Sequence, residues 1–377
     1  MSHPNLPIAV DLFCGCGGIS AGLRAAGFEV LAGAEIEPRS LATFHANFPA
    51  ALALGADLSK TTPQQFMHQL GIGPGELDLL AGGPPCQGFS KNVPRSRRFL
   101  DDPKNRLVQT FIDYCEAIKP RMVLMENVAE MKNGFEQAYT QELLDRLRSA
   151  GYTVSYAVLL AADYGVPQRR RRAFFLGSRD GETLQFPAPT HAARPSVGSR
   201  LRPHVAVWDA MSDLPTLAHG AGDDPCAYAS APANEFQAQV RRNSMLVRNH
   251  LARRMAPVQL ARLSSLQPGE GLKNLPAHLR PKSGYSGAYG RLTKDMVAAT
   301  VTRWVFHPGS GRFGHPVDIR TVTMREAARL QAFPDDFVFT GSYNEQAAQI
   351  GNAVPPLLAE VVARAMLGQG LRAHPRH

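Results

Sequence analysis

Short apolar segments that alternate with helical segments constrain the fold of this chain more than any other feature. The apolar segments have the length and composition of buried strands, and they occupy residues 8–13, 28–34, 77–81, 121–125, 153–160 and 173–176. Segments of helical periodicity separate most of them. Because strands that alternate with helices usually pair in parallel, the pattern predicts an α/β fold with a mostly parallel sheet and helices on both faces.

The first of these strands leads into a glycine-rich turn. Residues 14–18 read Cys-Gly-Cys-Gly-Gly, and a helix follows until Gly27. A strand, a glycine turn and a helix in this order are typical of a nucleotide site, because bare backbone lets a ligand approach the helix N-terminus. Glu35, about twenty residues later, can accept both ribose hydroxyls. Ser20 replaces the third small residue of the dinucleotide fingerprint, so the pattern indicates an adenosine site and no pyrophosphate cradle.

The segment Gly82–Ser90 follows the third apolar segment and reads Gly-Gly-Pro-Pro-Cys-Gln-Gly-Phe-Ser. Its glycines and prolines can neither continue a strand nor begin a helix, so the backbone turns here. Cys86 is therefore predicted on a stiff loop at the carboxyl end of a strand, where α/β proteins place their ligands. For an isolated cysteine, a small buried thiol that packs a turn is the more common outcome. The next segment, 91–98, is half lysine and arginine and is predicted to be a phosphate-seeking loop.

Two further polar motifs adjoin predicted strands. Glu126 begins a Glu-Asn-Val motif at the carboxyl end of the strand 121–125. Gln168, Arg170 and Arg172 alternate directly before another apolar strand, so they are predicted to share one face. A basic run that leads into a buried strand favours a functional face over a fully solvated one.

The charge of the chain is concentrated in one part of the sequence. Residues 187–318 carry 16 lysines and arginines against 8 acidic residues, so they hold almost all of the net charge of +9. They are also rich in proline and glycine and weakly periodic. Regular patterns return with a capping box at Thr323 and Glu326. We therefore predict a catalytic domain at 1–186, a smaller irregular domain at 187–318 that binds a polyanion, and a return segment at 319–377.

Composition argues against several classes of protein. The N-terminus lacks the charged and apolar regions of a secretory signal, and no apolar run reaches membrane-spanning length. Five scattered cysteines do not form a disulfide framework, so a cytoplasmic location is predicted. The Cys14-x-Cys16 pair has no matching cysteine or histidine pair nearby, so no metal site is predicted.

These motifs resemble, in type and in order, those of the cytosine-C5 DNA methyltransferase family, and the resemblance covers nearly the whole chain. The matching segments are 11–18 (the S-adenosylmethionine loop), Glu35 with Asp57 (ribose and adenine partners), Pro85-Cys86-Gln87 (the nucleophile), Glu126-Asn127-Val128 (the proton donor), Gln168-x-Arg170-x-Arg172 (the base-holding arginines), Thr323–Pro334 (the brace of the recognition domain) and Gly351–Pro355 (the last motif). The residues themselves leave Asp57 open between an adenine partner and a helix cap.

The resemblance implies a Rossmann-like methyltransferase sheet with a smaller irregular target-recognition domain, and S-adenosyl-L-methionine as the cofactor. The residues that it assigns to the cofactor are Phe13, Gly15, Gly17, Gly18, Glu35, Ile36, Asp57, Leu58, Pro84, Leu107 and Asn352. At position 36 some members of the family carry an aromatic residue that stacks on adenine. Ile36 offers apolar contact alone, which puts cofactor affinity in doubt.

The resemblance also implies a catalytic set of Cys86, Glu126, Arg170 and Arg172. Cytosine C5 is too weak a nucleophile to take a methyl group until a thiolate adds at C6 and turns the ring into an enamine. Cys86 would supply that thiolate, and Glu126 would supply a proton at N3. Arg172 would hold the O2 oxygen, and Arg170 the adjoining phosphate or loop. The base must leave the stacked duplex first, and the sequence does not identify the group that removes the C5 proton.

The implied partner is double-stranded DNA at a specific site, and the enzyme is expected to act as a monomer, with a cognate restriction endonuclease acting separately. The residues predicted to contact DNA are Gln87, Ser90, Arg95, Arg97, Arg98, Arg291, Arg303 and Arg312. The sequence does not determine the DNA site, because base contacts come from a few side chains on irregular loops.

The nearest alternative is a cytosine-C5 methyltransferase that acts on transfer RNA. Such relatives carry a short recognition segment, so the length of 187–318 favours duplex DNA. A nicotinamide oxidoreductase would not need the Cys86 and Glu126 motifs, and a zinc deaminase would need a cysteine where Phe89 stands. A catalytically dead DNA-binding module would lose Cys86 or Glu126, and both are present.

Overall fold

The computed structural model describes residues 6–85, 106–129, 135–282 and 287–370. The chain forms two compact units. The first, which we call the sheet unit, comprises Met1–Leu160, Arg171–Ala188 and Leu358–His377. The second, the irregular unit, comprises Ala161–Arg170 and Pro189–Leu357. Residues 319–357 thus pack with the irregular unit, whereas the functional division into catalytic and target-recognition domains stays a prediction.

Helices and strands alternate in the sheet unit, as the sequence predicts. The strands are β1 (Ile8–Leu12), β2 (Glu29–Glu35), β3 (Leu52–Gly55), β4 (Leu79–Gly82), β5 (Met122–Val128), β6 (Thr153–Leu160) and β7 (Arg171–Ser178). The helices among them are α1 (Gly18–Ala26), α2 (Pro38–Asn47), α3 (Pro63–Leu70), α4 (Arg106–Ile118) and α5 (Phe135–Ser149).

The strands form one sheet in the order β3-β2-β1-β4-β5-β7-β6. Neighbouring strands from β3 to β5 run parallel. The strand β7 runs antiparallel to both β5 and β6. The α/β fold with a mostly parallel sheet is therefore confirmed. The chain order reverses between β1 and β4, and ligands of open α/β sheets bind at the carboxyl ends of the strands at such a point.

Successive strand residues point to opposite faces of the sheet, and in the central strands β4 and β5 nearly all of them are buried, so both faces are covered there. On one face Val10, Leu80 and Val123 pack with apolar residues of α3, α4 and α5. In α4 the buried apolar residues recur every three or four positions, namely Val108, Phe111, Ile112, Cys115 and Ile118. Burial of a side chain such as Phe111 contributes about 1.5–3 kcal/mol, so this stripe is enough to fix α4 on the sheet.

The irregular unit contains short elements joined by long connections. Its described strands and helices are β8 (His191–Ala192), β9 (Arg202–Pro203), α6 (Val207–Met211), α7 (Glu235–Arg241), α8 (Pro257–Ser264), α9 (Met324–Leu330) and α10 (Tyr343–Asn352), and the last helix of the chain, α11 (Pro356–Gly370), begins in this unit and continues in the sheet unit. The predicted capping box is confirmed: Glu326 N–H donates to Thr323 Oγ1 (3.2 Å), and Thr323 N–H donates to Glu326 Oε2 (2.7 Å).

Within the described residues, one stretch, Tyr343–Gln369, has the length and composition of a membrane span, with a mean hydropathy of 1.2. It consists of α10 and α11, which residues 353–355 separate. In the 18-residue window of this stretch that has that mean hydropathy, 56% is buried inside the fold. Core helices of a folded domain show the same features.

Candidate active site and cofactor site

The glycine turn after β1 requires unusual backbone conformations. Phe13, Gly15 and Gly17 all have positive φ, at 57°, 56° and 97°. At Gly17 a Cβ would also lie 2.7 Å from the Phe48 ring, so glycine is needed there for two reasons. The helix α1 begins at Gly18, and its N-cap residue, Gly17, has no side chain that could cap it. Among the described residues nothing occupies the N–H groups of Gly18 and Ile19, so these two are available to a ligand.

A buried carboxyl group lies beneath this turn. Asp11 Oδ2 accepts hydrogen bonds from the Ser20 hydroxyl (2.6 Å) and the Ser20 N–H (3.1 Å). Burial raises the pKa of Asp11 to about 7. Its other oxygen, Oδ1, has no hydrogen-bond partner in the described part of the chain. Ser20, the residue that departs from the dinucleotide fingerprint, therefore ties the first turn of α1 to β1.

Glu35 joins the glycine turn to the start of α2. Its Oε2 accepts from the Gly15 N–H (2.9 Å), and its Oε1 accepts from the Glu37 N–H (2.9 Å). Burial raises the pKa of Glu35, although these hydrogen bonds oppose the shift. Ile36, next to it, is 63% exposed. The structure thus brings Glu35 and the glycine turn together and leaves an open apolar side chain beside them.

Asp57 organises the turn that follows β3. Its Oδ1 accepts from the Ser59 hydroxyl at 2.6 Å, and its carboxylate pairs with Lys60 at 3.1 Å. The hydrogen bond from Ser59 and the nearby Lys60 lower the pKa of Asp57. These contacts are those of a turn-capping residue, and the role of Asp57 as an adenine partner stays a prediction.

The carboxyl ends of β1, β4 and β5 lie side by side, since Leu12 is paired with Gly82 and Gly82 with Met125. A Cβ at Gly82 would lie 2.5 Å from the Leu12 carbonyl oxygen, and a Cβ at Gly83 would lie 3.3 Å from Glu126 Oε2. At Gly82 only glycine lets the backbone pass this close to its neighbour, and at Gly83 a larger residue would press on the Glu126 side chain. The loop that leads to the predicted nucleophile therefore begins in contact with the predicted acid.

Asn127 fixes this loop from the next strand. Its side-chain amide donates to the Pro84 carbonyl (3.3 Å), and its Oδ1 accepts from the Val128 N–H (2.8 Å). The side chain is buried, at 3% exposure. Asn127 belongs to the Glu-Asn-Val motif, but the sequence alone predicts no role for its side chain. Its position directly after Glu126 was the available signal.

Glu126 forms an ion pair with Arg172. Glu126 Oε1 lies 2.7 Å from Arg172 Nε, and the two side chains are only 10% and 17% exposed. The antiparallel pairing of β5 with β7 sets Val128 opposite Arg172, which brings the guanidinium to the carboxylate. The structure thus unites two of the four predicted catalytic residues.

Arg170 has different surroundings, within the irregular unit. It is buried, and its guanidinium donates to the Val301 and Gly351 carbonyls, each at 3.2 Å. Gln168 is buried in the same unit and accepts from the Val301 N–H at 2.8 Å. These contacts brace the backbone, and a phosphate contact of Arg170 stays a prediction.

The remaining predicted residues fall into three groups. Leu58 and Pro84 are buried in the sheet unit and Leu107 is half-buried there, whereas Asn352 is exposed at the end of α10 in the irregular unit. Arg303 and Arg312 are exposed. Several predicted residues lie outside the described residues, namely Cys86, Gln87, Ser90, Arg95, Arg97 and Arg98.

Arg291, a predicted DNA contact, is buried in the irregular unit. Its guanidinium donates to the backbone carbonyls of Leu266, His315 and Val317 at 2.8–3.2 Å. Burial lowers the pKa of Arg291. Its donors are occupied within the protein, so the packing gives it a structural role, and its DNA contact stays a prediction without support from this geometry.

Comparison with known proteins identifies the family. The model of the family described as C-5 cytosine-specific DNA methylase matches residues 8–368. The Type II methyltransferase M.AgeI of Thalassovita gelatinovora is 32% identical, with 94% of this chain and 97% of that protein covered. The Type II methyltransferase M1.HphI of Haemophilus parahaemolyticus is 36% identical, with 95% of this chain and 86% of that protein covered.

Solved structures show the same fold. A protein described as a DNA modification methyltransferase encoded within an E. coli prophage has a TM-score of 0.76 at 26% identity, over 96% of this chain and 99% of that chain. The chain therefore belongs to the C-5 cytosine-specific DNA methylase family, and it is an enzyme of the DNA (cytosine-5-)-methyltransferase class.

Proposed function

We propose that this enzyme transfers a methyl group from S-adenosyl-L-methionine to C5 of a cytosine that is flipped out of a specific duplex DNA site, through a covalent bond between Cys86 Sγ and C6. One observation carries the proposal. The ion pair of Glu126 and Arg172 lies against Gly83, three residues before Cys86 in the sequence. A nucleophile, an acid and a cation can then face one base.

The cofactor site would be formed by the glycine turn after β1, with Glu35 at the ribose and the apolar Ile36 and Leu58 at the adenine. The bare backbone at Gly15 and Gly17, the N-terminus of α1 at Gly18 and the oxygen Oδ1 of the buried Asp11, which has no partner among the described residues, fit a cationic, nucleoside-containing ligand. S-adenosyl-L-methionine supplies an electrophilic methyl group.

The residues of the chain would perform the steps around that transfer. Cys86 adds to C6 as a thiolate, and a C–S bond forms while Glu126 gives a proton or a strong hydrogen bond to N3. Arg172 orients Glu126 and can hold the O2 oxygen of the base. After C5 accepts the methyl group, its proton leaves, the C–S bond breaks and Cys86 is restored.

Duplex DNA is favoured over transfer RNA by the size and charge of residues 187–318, with exposed Arg303 and Arg312 as candidate contacts. The Type II names of the relatives support a restriction–modification setting, with a separate endonuclease. We propose a monomer that acts in the cytoplasm.

The proposal is tested with the Glu126→Gln variant. An amide cannot deliver a proton to N3, so methyl transfer in a single turnover should fall by about 10²–10⁴-fold, or roughly 3–5 kcal/mol, with DNA and cofactor binding retained. The substrates are a library of duplexes, sequenced for 5-methylcytosine, and in parallel transfer RNA.

The control is Glu116→Gln, which removes an exposed carboxylate of α4 that pairs with Arg146. It should leave the rate unchanged. An equal rate for wild type and Glu126→Gln would remove Glu126 from the mechanism, and methylation of transfer RNA alone would establish the alternative substrate.

A further inference from the structure

The irregular unit presents a tryptophan that the proposed chemistry does not use. Trp304 is 49% exposed, although tryptophan is among the largest apolar side chains. Its ring contacts Phe306, with centroids 6.1 Å apart, and Arg303, whose guanidinium lies 5.2 Å from the ring centroid. About half of the Trp304 side chain is therefore open to solvent.

Two cations flank this ring system. Arg253 lies with its guanidinium 4.6 Å from the centroid of Phe306, and both Arg253 and Arg303 are exposed. Within the described part of the irregular unit, neither guanidinium forms an ion pair. We call Arg253, Arg303, Trp304 and Phe306 the Trp304 cluster. Its two charges are available to an anion outside the protein.

The backbone beneath Trp304 is held in place. The Val305 N–H donates to the Thr302 carbonyl (3.0 Å), and the His307 N–H donates to the Trp304 carbonyl (2.9 Å). Gly351 of α10 lies directly under this loop, because a Cβ there would be 2.3 Å from Thr302 C and from Arg303 N. The Trp304 ring is therefore presented on a rigid loop and not on a free one.

Buried side chains extend this support along the chain. Arg170 joins the Val301 and Gly351 carbonyls, so it ties the segment before Trp304 to the helix below it. Gln168 binds the Val301 N–H and also donates to the Leu330 carbonyl. A side chain that is both exposed and preorganised loses little entropy when it binds.

We propose that the Trp304 cluster is a DNA-binding site: Trp304 packs against a sugar of the duplex backbone, and Arg253 and Arg303 contact the flanking phosphates. In a duplex the faces of the bases are covered by their neighbours, so an exposed ring meets the sugars, and arginines beside it neutralise the phosphates. A protein partner could also use tryptophan and arginine, but the excess of basic residues in 187–318 favours a polyanion. The inference rests on the proposed action on duplex DNA.

The first test compares Trp304→Ala, Trp304→Phe and Met245→Ala in the full chain. The probe is a short duplex that carries the site found by sequencing the methylated library. Removal of the ring should weaken binding about tenfold, the equivalent of roughly 1.4 kcal/mol, and phenylalanine should restore most of it. Met245, 91% exposed in the same unit, is the matched apolar control and should bind like wild type.

The salt dependence of binding distinguishes the contribution of the Trp304 ring from that of the two arginines. Arg303→Ala and Arg253→Ala should each reduce the slope of log affinity against log salt by about 1, since each removes one phosphate contact. Trp304→Ala should leave the slope unchanged. Unchanged affinity for Trp304→Ala and unchanged slopes for both arginine variants would overturn the proposal.

Fluorescence reports the contact directly. The chain has 2 tryptophans, so Trp208→Phe leaves Trp304 as the sole emitter. Addition of the duplex should quench Trp304 and protect it from acrylamide. Equal acrylamide quenching with and without DNA would contradict the proposal. If the wild type methylates duplex DNA and these results are negative, the inference fails alone; if it methylates no DNA, the proposed function fails.

Discussion

The two units of this enzyme satisfy their buried polar groups in different ways. In the sheet unit, strand ladders pair the backbone, and the core cluster is apolar. In the irregular unit, arginine side chains donate many of the hydrogen bonds to buried backbone carbonyls. Five arginines among the described residues are nearly or fully buried, and all belong to the irregular unit: Arg170, Arg291, Arg320, Arg325 and Arg329.

The difference follows from the backbone. Irregular chain leaves buried carbonyl groups without ladder partners, and each must find a donor. Arginine offers five N–H donors on one planar group. Arg325, for example, donates to the carbonyls of Arg248, Pro334 and Phe337 at 2.7–3.2 Å. Part of the positive charge that marks this region in the sequence is therefore used inside the protein.

Carboxylates complete these arginine networks. Arg329 Nη1 lies 2.7 Å from Asp213 and Arg329 Nη2 lies 2.6 Å from Asp335, with all three side chains fully buried. Tyr228 also donates to Asp335 at 2.7 Å. Burial opposes ionisation of Asp335, but Arg329 outweighs it and lowers the pKa. Such a network is strongly specified once formed, and costly to break.

The largest expected effect is that of Arg329→Met. It would leave the buried Asp213 with Arg241 as its cation and the buried Asp335 with only the more distant Arg325, at 3.7 Å, at a cost of about 3–5 kcal/mol. Arg146→Met is the matched control in the sheet unit, because Arg146 pairs with Asp113 and Glu116 at the surface. There the cost should be about 0–1 kcal/mol. Native-state hydrogen exchange of the α9 amides measures the loss of stability in Arg329→Met, and that of the α4 amides measures the loss in Arg146→Met. Equal losses of protection in the two variants would contradict the difference between the units.

A smaller effect is an opposite response of the two units to acid. In the sheet unit, burial raises the pKa of Asp11 from an ordinary 3.8 to about 7. Between these values the folded state holds a proton that the unfolded state lacks, so the stability of this unit rises as the pH falls from 7 towards 3.8.

In the irregular unit stability changes with pH in the opposite direction: it falls as the pH falls. Burial lowers the pKa of His250 and His315 from 6.5, so the unfolded state takes up their protons first. Burial opposes ionisation of Glu326, but Arg320 and His315 outweigh it and lower its pKa below the ordinary 4.5. Stability should therefore fall below about pH 6.5 and again below pH 4.5. Hydrogen exchange of β1 and α9 amides from pH 7 to 4 should diverge; parallel changes would contradict the assignment.

The sequence predicted the sheet unit well because two signals agree there: the hydrophobic periodicity of each element, and the glycine and proline residues between elements. The helical pattern of residues 106–118 coincides with α4, the predicted segment 153–160 coincides with β6, and Glu35 lies at the end of β2. In the sequence, residues 56–58 read as the end of a strand, but β3 ends at Gly55 and Asp57 belongs to the turn that follows. The helices α3 and α10 were missed, although each begins with a capping box, at Thr62 and at Ser342.

For the irregular unit, the sequence predicted an irregular and basic domain, but not its short helices or which of its arginines are buried. Its helices α6, α7 and α8 are too short to show a period. Charge counting cannot separate a buried arginine from an exposed one, which is why Arg291 and Arg303 were given the same role. The link from Asn127 to Pro84 depends on strand neighbours that only the fold brings together.

The central claim, a covalent bond between Cys86 and the target cytosine, can be tested most directly by trapping. In a duplex with 5-fluorocytosine at the target position, attack at C6 and methylation proceed, but release requires loss of the C5 substituent as a cation, and fluorine does not leave in that form. A complex that survives denaturation should form only with S-adenosyl-L-methionine. It should form with Cys226→Ser and be absent with Cys86→Ser; a complex that persists without Cys86, or maps to another cysteine, would contradict the account.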